Sequence, residues 1–484
     1  MTQDLDRLMQ LMHAELVVGS GVYTAIDPAI HIAMDERGIY TYRGLDDHYR
    51  GPAGALLRVS AFGDLAPSEP ELAADLFSQQ RGSKNHPIVG HYLECYAGWS
   101  TTQTREAGSS GGLTTWLLAR LLELNEVDGV IHLRPGVEGR PLFEYAISRT
   151  PAEVKAASRS RYYPAELSRQ LHEIAAGNDR YAIVAIPSIA YEIRLLQREV
   201  PGFAERLPYV VGLICGHQKS ANYAEYIGWR AGVRPGGLTD IDFRHKIPGR
   251  PASSYGTKIE SIDGGRKRES VLGNESIMGT DWGLGMFKEK FSDYTEDAFN
   301  ETSDVVFGDA WLDPYVEDSR GTNIVIVRDA RILRLLEEGR AAKEIHLETI
   351  GTDKVVASQE ALVRHTVTEL PFRLTALEAA ADVARPPRRR TSARIGYFRK
   401  VMQTERLAMS RGSHSAYLEA RRAGTLQEFD RAMAPHLKRY NRARRLARLA
   451  QVIRRGPRHW LHAVLRRLTE RGASLGGTPW SRHR

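Results

Sequence analysis

Cysteine is nearly missing from this chain: its 484 residues hold two, Cys95 and Cys215, 120 positions apart. Two thiols cannot build a disulfide framework, a four-thiolate zinc site or an iron–sulfur cluster, and such a pair suits a reducing cytoplasm. Long apolar runs are missing as well, since no stretch approaches the roughly 20 residues needed to cross a bilayer. The opening segment, MTQDLDRLMQLMHAEL, places acids early and has no uninterrupted apolar stretch, so it reads as a short amphipathic helix and not as a secretion signal. A soluble, cytoplasmic protein is expected. There is no internal repeat, and no zinc-finger, RNA-recognition or basic-zipper pattern, so nucleic acid is not an expected partner.

Hydrophobic residues make up 42% of the chain, enough for two or three domains with real cores. The net charge of +8 is unevenly spread. Residues 385–484 hold 26 Lys and Arg against 5 Asp and Glu, whereas the remainder holds 41 against 54. The boundary falls at Arg385-Pro386-Pro387-Arg388-Arg389-Arg390. Beyond it the pattern predicts helices over residues 440–453 and 460–468 and a frayed end. This basic tail, with Trp460 and Trp480 beside arginines, suits an anionic membrane surface on the inner face, or folds back on the acidic body.

Strands and helices alternate from about residue 86. Strands are predicted at 129–133, 181–186, 210–215, 305–307 and 323–327, and helices at 113–124, from Pro164 through Ile174, and at 330–338. The fold class is α/β, with a mixed sheet flanked by helices and a basic, mostly helical C-terminal tail. Residues 16–42 read as strand, turn, strand, and the Gly-, Pro-, Ser- and Ala-rich residues 50–85 as a loop-rich connection.

Five clusters carry candidate chemistry. Gly108-Ser109-Ser110-Gly111-Gly112-Leu113-Thr114 runs small and hydroxyl residues into a helix, where free amides and the positive helix end favour a phosphate; a flexible loop with an N-cap reads equally well. Its G-x-S-x-G spacing also fits a nucleophile elbow on Ser110, but polar residues 100–106 stand where that turn needs a buried strand. Ser158-Arg159-Ser160-Arg161-Tyr162-Tyr163-Pro164 brings hydroxyls, guanidiniums and rings to a helix start, or is a solvated N-cap with two core tyrosines, and Cys215-Gly216-His217-Gln218-Lys219-Ser220 ends an apolar strand, or is a loop with a buried structural thiol. Asp242-Phe243-Arg244-His245-Lys246 offers three basic groups to an anion, or forms an exposed charged edge. The acids Asp293, Glu296, Asp297, Glu301, Asp304 and Asp309 read as a solvated face with capping aspartates, not as a metal site.

The order of these segments resembles the β-subunit family of coenzyme F420 hydrogenases and dehydrogenases (F420 names a deazaflavin). Matching stretches are Ser109–Thr114 with residues 127–131, Ser160–Pro164, Ile183–Ser188, Gly212–Cys215 with Ser220, Asp242–Lys246, Trp282-Gly283 and, most specifically, Asp297–Leu312. The resemblance implies three parts: residues 1–85, a degenerate ferredoxin-like segment and linker; 86–384, a flavin-binding core; and 385–484, the Arg-rich tail. It also implies lost cluster cysteines, now Val17, Ser20, Tyr23 and Asp27, with Ser292, Thr295 and Ser188 at further positions. No iron–sulfur cluster and no metal is therefore expected.

The cofactor implied is FAD, on Ser109, Ser110, Gly111, Gly112, Thr114, Ser160, Arg161 and Tyr162. His217, Lys219, Ser220, Arg244 and Lys246 would meet the substrate. The implied partner is a reduced deazaflavin or nicotinamide, or a small electron-donor protein, and the implied substrate a sugar or polysaccharide precursor. The other reading is a non-catalytic scaffold or regulator of a cell-surface polysaccharide assembly that keeps only the fold.

Overall fold

The structure is a computed structural model and describes residues 3–137, 141–379 and 394–454. Eight strands form the central sheet: β1 (Glu94–Ser100), β2 (Gly129–Pro135), β3 (Phe143–Ser148), β4 (Tyr181–Ala185), β5 (Tyr209–Leu213), β6 (Val305–Asp309), β7 (Asn323–Val327) and β8 (Ile345–Thr349). Their order is β8-β1-β7-β6-β5-β4-β2-β3. The inner strands β6, β5, β4 and β2 run parallel, and the remaining pairings are antiparallel.

Side chains alternate across this sheet with period two. Val130, Ala182, Val211, Val305 and Val325 face α1 (Leu113–Glu123) and the helix Ala330–Ala341. Ile131, Ile183 and Val210 face the other way, toward the N-terminal segment. Burial on both faces is why these strands read as apolar runs. The expected α/β fold with its mixed sheet is the fold observed.

Several local expectations differ. Residues 50–85 carry two helices, Ala53–Val59 and Glu69–Phe77. The second begins at a capping box in which Ser68 and Glu71 satisfy each other's backbone amides. The helix expected from Pro164 starts at Ser168; the Leu167 amide before it donates to Ser20 O at 2.8 Å and not back along the chain. Residues 16–18 form no strand; the hairpin pairs His31–Met34 with Tyr40–Arg43.

The N-terminal residues are part of the main body. Leu5, Leu8 and Leu11 of the helix Gln3–His13 share one core with Ile183 and Val210. The tail does the same over much of its length. Helices α2 (Tyr397–Ala423) and α3 (Gln427–Arg454) form a hairpin whose Met409, Tyr417, Phe429 and Tyr440 pack with Tyr226 and Phe287 of the body. Charge complements this packing: Arg399 pairs with Glu369, Arg230 with Asp430, and Arg444 with Asp281 at 3.2 Å. Trp460, Trp480 and the helix expected at 460–468 lie outside the described residues. Among the described residues no helix is long and apolar enough to cross a membrane.

Candidate functional site

The parallel strands end on one edge of the sheet, where ligands of such sheets gather. Loops leaving that edge build a cavity of about 260 Å³. Leu133 of β2, Val184 of β4, Leu213 of β5 and Phe307 of β6 give it apolar walls. Ten of the thirteen residues expected at the site line it: Ser109, Ser110, Gly112, Thr114, Ser160, Arg161, Tyr162, His217, Lys219 and Arg244.

The first loop reaches the cavity through close packing. Gly112 has φ +79° and turns the chain into α1. A Cβ on Gly111 would meet Gly98 O and Asn323 Oδ1, both at 2.7 Å, so this glycine is set by packing and does not line the cavity. Asn323 Oδ1 accepts the Leu113 amide at 3.2 Å, and the Trp116 amide returns to Gly112 O at 3.1 Å. The Thr114 and Thr115 amides, like any in a first helical turn, lack an intrahelical acceptor, and both residues line the cavity. Ser109 Oγ accepts the Ser160 amide at 2.9 Å. That bond joins two clusters 51 residues apart in sequence.

The cations divide into matched and unmatched groups. Arg244 makes a two-pronged pair with Asp309 at 2.8 and 2.9 Å and lies over the rings of Tyr255 and Trp311. Its charge is thus spent within the protein, and it does not sit on an exposed charged edge. Lys246 donates to Arg105 O and Ser110 O, which buttresses the first loop from outside the cavity; burial pushes it down to about 8. Arg161 donates to Ile241 O at 2.9 Å and lies over Phe143. Ser220 is buried beside the cavity wall, its amide donated to Phe287 O at 2.9 Å.

The unmatched groups follow β5. Lys219 is 2% exposed, donates to Met286 O at 2.5 Å, and lies over the Trp282 and Tyr223 rings at 4.8 Å each. Burial first, and Lys288 second, push its ammonium down to about 7. His217 stacks on Trp282 at 4.2 Å. Burial, then Lys219, Lys288 and Arg406, hold it well below the usual histidine range, so it is neutral.

Thr115, His132, Tyr145 and Asn323 also line the cavity, though no sequence motif singled them out. His132 and Asn323 each left a signal, a polar residue inside or opening an otherwise apolar strand. His132 Nε2 meets Ser148 Oγ at 2.8 Å, and burial pushes the ring down to about 4.

Two family models, both described as coenzyme F420 hydrogenase/dehydrogenase, beta subunit, match this chain. The N-terminal one covers residues 95–172 and the C-terminal one residues 178–353. The chain belongs to this family. A chain of the F420-reducing [NiFe] hydrogenase complex from Methanosarcina barkeri is similar at 15% identity and a TM-score of 0.46, covering 61% of this chain and 96% of its own. No curated protein matches.

In this family member, the acidic stretch is buried from Asp293 to Asp304 and half-buried at Asp309, not a solvated face. Asp297 accepts the amides of Phe299 and Glu301 at 2.8 Å each, and Asp304 accepts the Val210 amide at 2.6 Å and pairs with Arg194 at 2.7 Å. Asn300, at φ +51°, donates to Ala185 O and Leu213 O at the ends of β4 and β5. The segment is a clamp under the cavity. Among the described residues no group of three His, Cys, Asp or Glu is placed to hold a metal ion.

The positions where the family resemblance implied lost cysteines are packed. Tyr23 stacks on Tyr42 at 4.5 Å, and Asp27 accepts the Tyr49 hydroxyl at 2.7 Å. Ser292 Oγ accepts the Gln218 amide at 3.1 Å, Thr295 Oγ1 donates to Ser292 O at 3.1 Å, and Ser188 is buried. Ser20 Oγ donates to the buried Glu192 at 2.5 Å, and the Ala61 amide donates to its other oxygen at 3.0 Å.

Burial pushes Glu192 up to about 8, above its unfolded value of about 4.5. The folded state therefore holds a proton that the unfolded chain releases, and stability falls as pH rises from about 4.5 through 8. Glu192→Gln is expected to be near neutral at pH 5 and stabilising by roughly 1–3 kcal/mol at pH 8.5, read as denaturation midpoints at both values. A pH-independent difference contradicts the assignment.

Proposed function

We propose that this chain is a flavin-dependent oxidoreductase that binds FAD in the carboxyl-edge cavity and works without iron–sulfur clusters. The observation that carries this reading is the meeting of the first turn of α1, the Ser109–Ser160 junction and apolar walls in one cavity. The residues present fit the group. The Thr114 and Thr115 amides, with Ser109, Ser110 and Gly112, suit a pyrophosphate, while Leu133, Val184 and Leu213 with Tyr162 suit a flat ring. A flavin, when bound, takes up and returns a hydride or single electrons. The chain's own contribution is orientation by the loop amides, exclusion of water by the apolar walls, and a neutral His217 beside the buried amine of Lys219.

The donor proposed is a reduced deazaflavin or nicotinamide, or a small electron-donor protein. The acceptor proposed is a sugar or polysaccharide precursor, with the cations at the cavity favouring a phosphorylated one. The free thiols of Cys95 and Cys215 suit the cytoplasm. The solvent-facing Arg431, Lys438, Arg442, Arg445 and Arg448 of α3 suit the inner face of a membrane. A pure scaffold has no use for an open apolar cavity at a helix start.

Thr114→Glu tests the reading. Thr114 is half-buried at the cavity and opens α1. A carboxylate in a first helical turn favours the helix yet repels a pyrophosphate. The affinity for FAD, followed by flavin fluorescence quenching, is expected to fall about 100-fold, roughly 2–3 kcal/mol, with no loss in melting temperature. Unchanged affinity would remove the pyrophosphate from this helix end.

A further inference from the structure

Buried charges need partners, because an ion taken out of water is costly unless matched. In this protein Lys288 has Asp293, Arg194 has Asp304 and Arg244 has Asp309. Among the described residues Arg328 has no carboxylate in ion-pair contact but donates to five backbone carbonyls. Lys219 has neither kind of match. Among the described residues its ammonium has one acceptor, Met286 O, and no carboxylate in ion-pair contact. Lys288 and Arg406 act on His217 beside it, and the nearest carboxylate acting on Lys219, that of Asp281, does so without ion-pair contact and is paired with Arg444. His217 Nε2 is itself buried without a partner, and His217 is 7% exposed. Both His217 and Lys219 line the cavity.

We propose that Lys219 and His217 form a subsite for the phosphoryl or carboxylate group of the molecule that meets the cofactor. This deepens the flavin reading and rests on it for the identity of that molecule; the anion subsite itself does not. The missing counter-ion of Lys219 is supplied by the ligand. The Trp282 and Tyr162 rings, 4.6 Å apart at their centroids, stand beside it and suit the ring or sugar that carries the anion. The subsite lies on the β5 side of the cavity, whereas Arg244 is paired with Asp309 and Lys246 donates to Arg105 O and Ser110 O.

The test titrates inorganic phosphate and acetate separately into the full-length protein, against chloride at matched ionic strength, and follows melting temperature and calorimetric heat. The wild type is expected to show saturable stabilisation by at least one of the two anions, and which one answers separates a phosphoryl from a carboxylate subsite. Lys219→Met is expected to weaken that binding about tenfold or more, the scale of a lost charge-assisted contact, and Lys219→Arg to stay within about threefold. No saturable effect of either anion on the wild type overturns the proposal, whatever the variants do. Equal responses in wild type and Lys219→Met also overturn it and mean adventitious binding only. FAD is titrated in parallel. FAD binding with no anion response leaves the flavin reading standing and sinks the subsite, whereas anion binding with no FAD uptake does the reverse. Displacement of FAD by phosphate would place Lys219 at the cofactor's own phosphates and contradict the substrate assignment.

Discussion

Ending the chain at residue 393 is expected to leave no soluble, folded body. The α2–α3 hairpin looks in sequence like a charged appendage, but six of its side chains, Met402, Met409, Tyr417, Phe429, Met433 and Tyr440, lie in a core shared with Tyr226, Phe287 and Phe243. Burial of a large apolar side chain contributes roughly 1.5–3 kcal/mol, so six contribute on the order of 9–18 kcal/mol, comparable with the whole stability of a typical domain at about 5–15 kcal/mol. Truncation also strips the partners from Glu369, which pairs with Arg399 and Gln403. Aggregated or protease-sensitive protein is the expected result on expression. A truncated protein with unchanged near-ultraviolet circular dichroism would show that the hairpin is an independent appendage.

Arg328→Ala is expected to be among the most damaging single substitutions in the chain. Arg328 is wholly buried, and its guanidinium donates to the carbonyls of Val89, His91, Phe299, Asn300 and Ser303. Removing it leaves those carbonyls without a charged donor. Hydrogen bonds to charged groups are worth about 1.5–3 kcal/mol each and are not additive, which puts the total loss at roughly 5 kcal/mol. The damage reaches the site as well, since the same loop presents Asn300 to the ends of β4 and β5. A drop in melting temperature of about 5 °C is expected, with flavin affinity falling in step. Arg328→Lys keeps the charge but not the planar fork and is expected to recover less than half of the loss. An unchanged melting temperature for Arg328→Ala would refute the clamp.

The legibility of the fold follows burial. β6 and β7 are readable because Val305-Val306-Phe307 and Ile324–Val327 are apolar on both faces, and a doubly covered strand has no other way to be written. The helices in residues 50–85 are hidden by Gly, Pro and Ser, although Ser68-Glu69-Pro70-Glu71 spells a capping box. The acids at 293–304 mislead because carboxylates are usually solvated; here backbone amides, Arg194 and Lys288 satisfy several of them, which no local pattern announces. For the same reason the sequence shows that Arg244 and Lys219 are basic but not that Asp309, 65 residues on from Arg244, neutralises only the first. The Ser109 and Ser160 clusters are each recognisable, but their junction is a tertiary fact.

The most direct measurement is the flavin itself. Purified full-length protein, saturated with FAD, desalted and then heat-denatured, is expected to release about one FAD per chain, identified by absorbance and mass. Protein that releases no flavin, and whose flavin fluorescence titration shows no uptake at micromolar concentrations, would contradict the account at its centre.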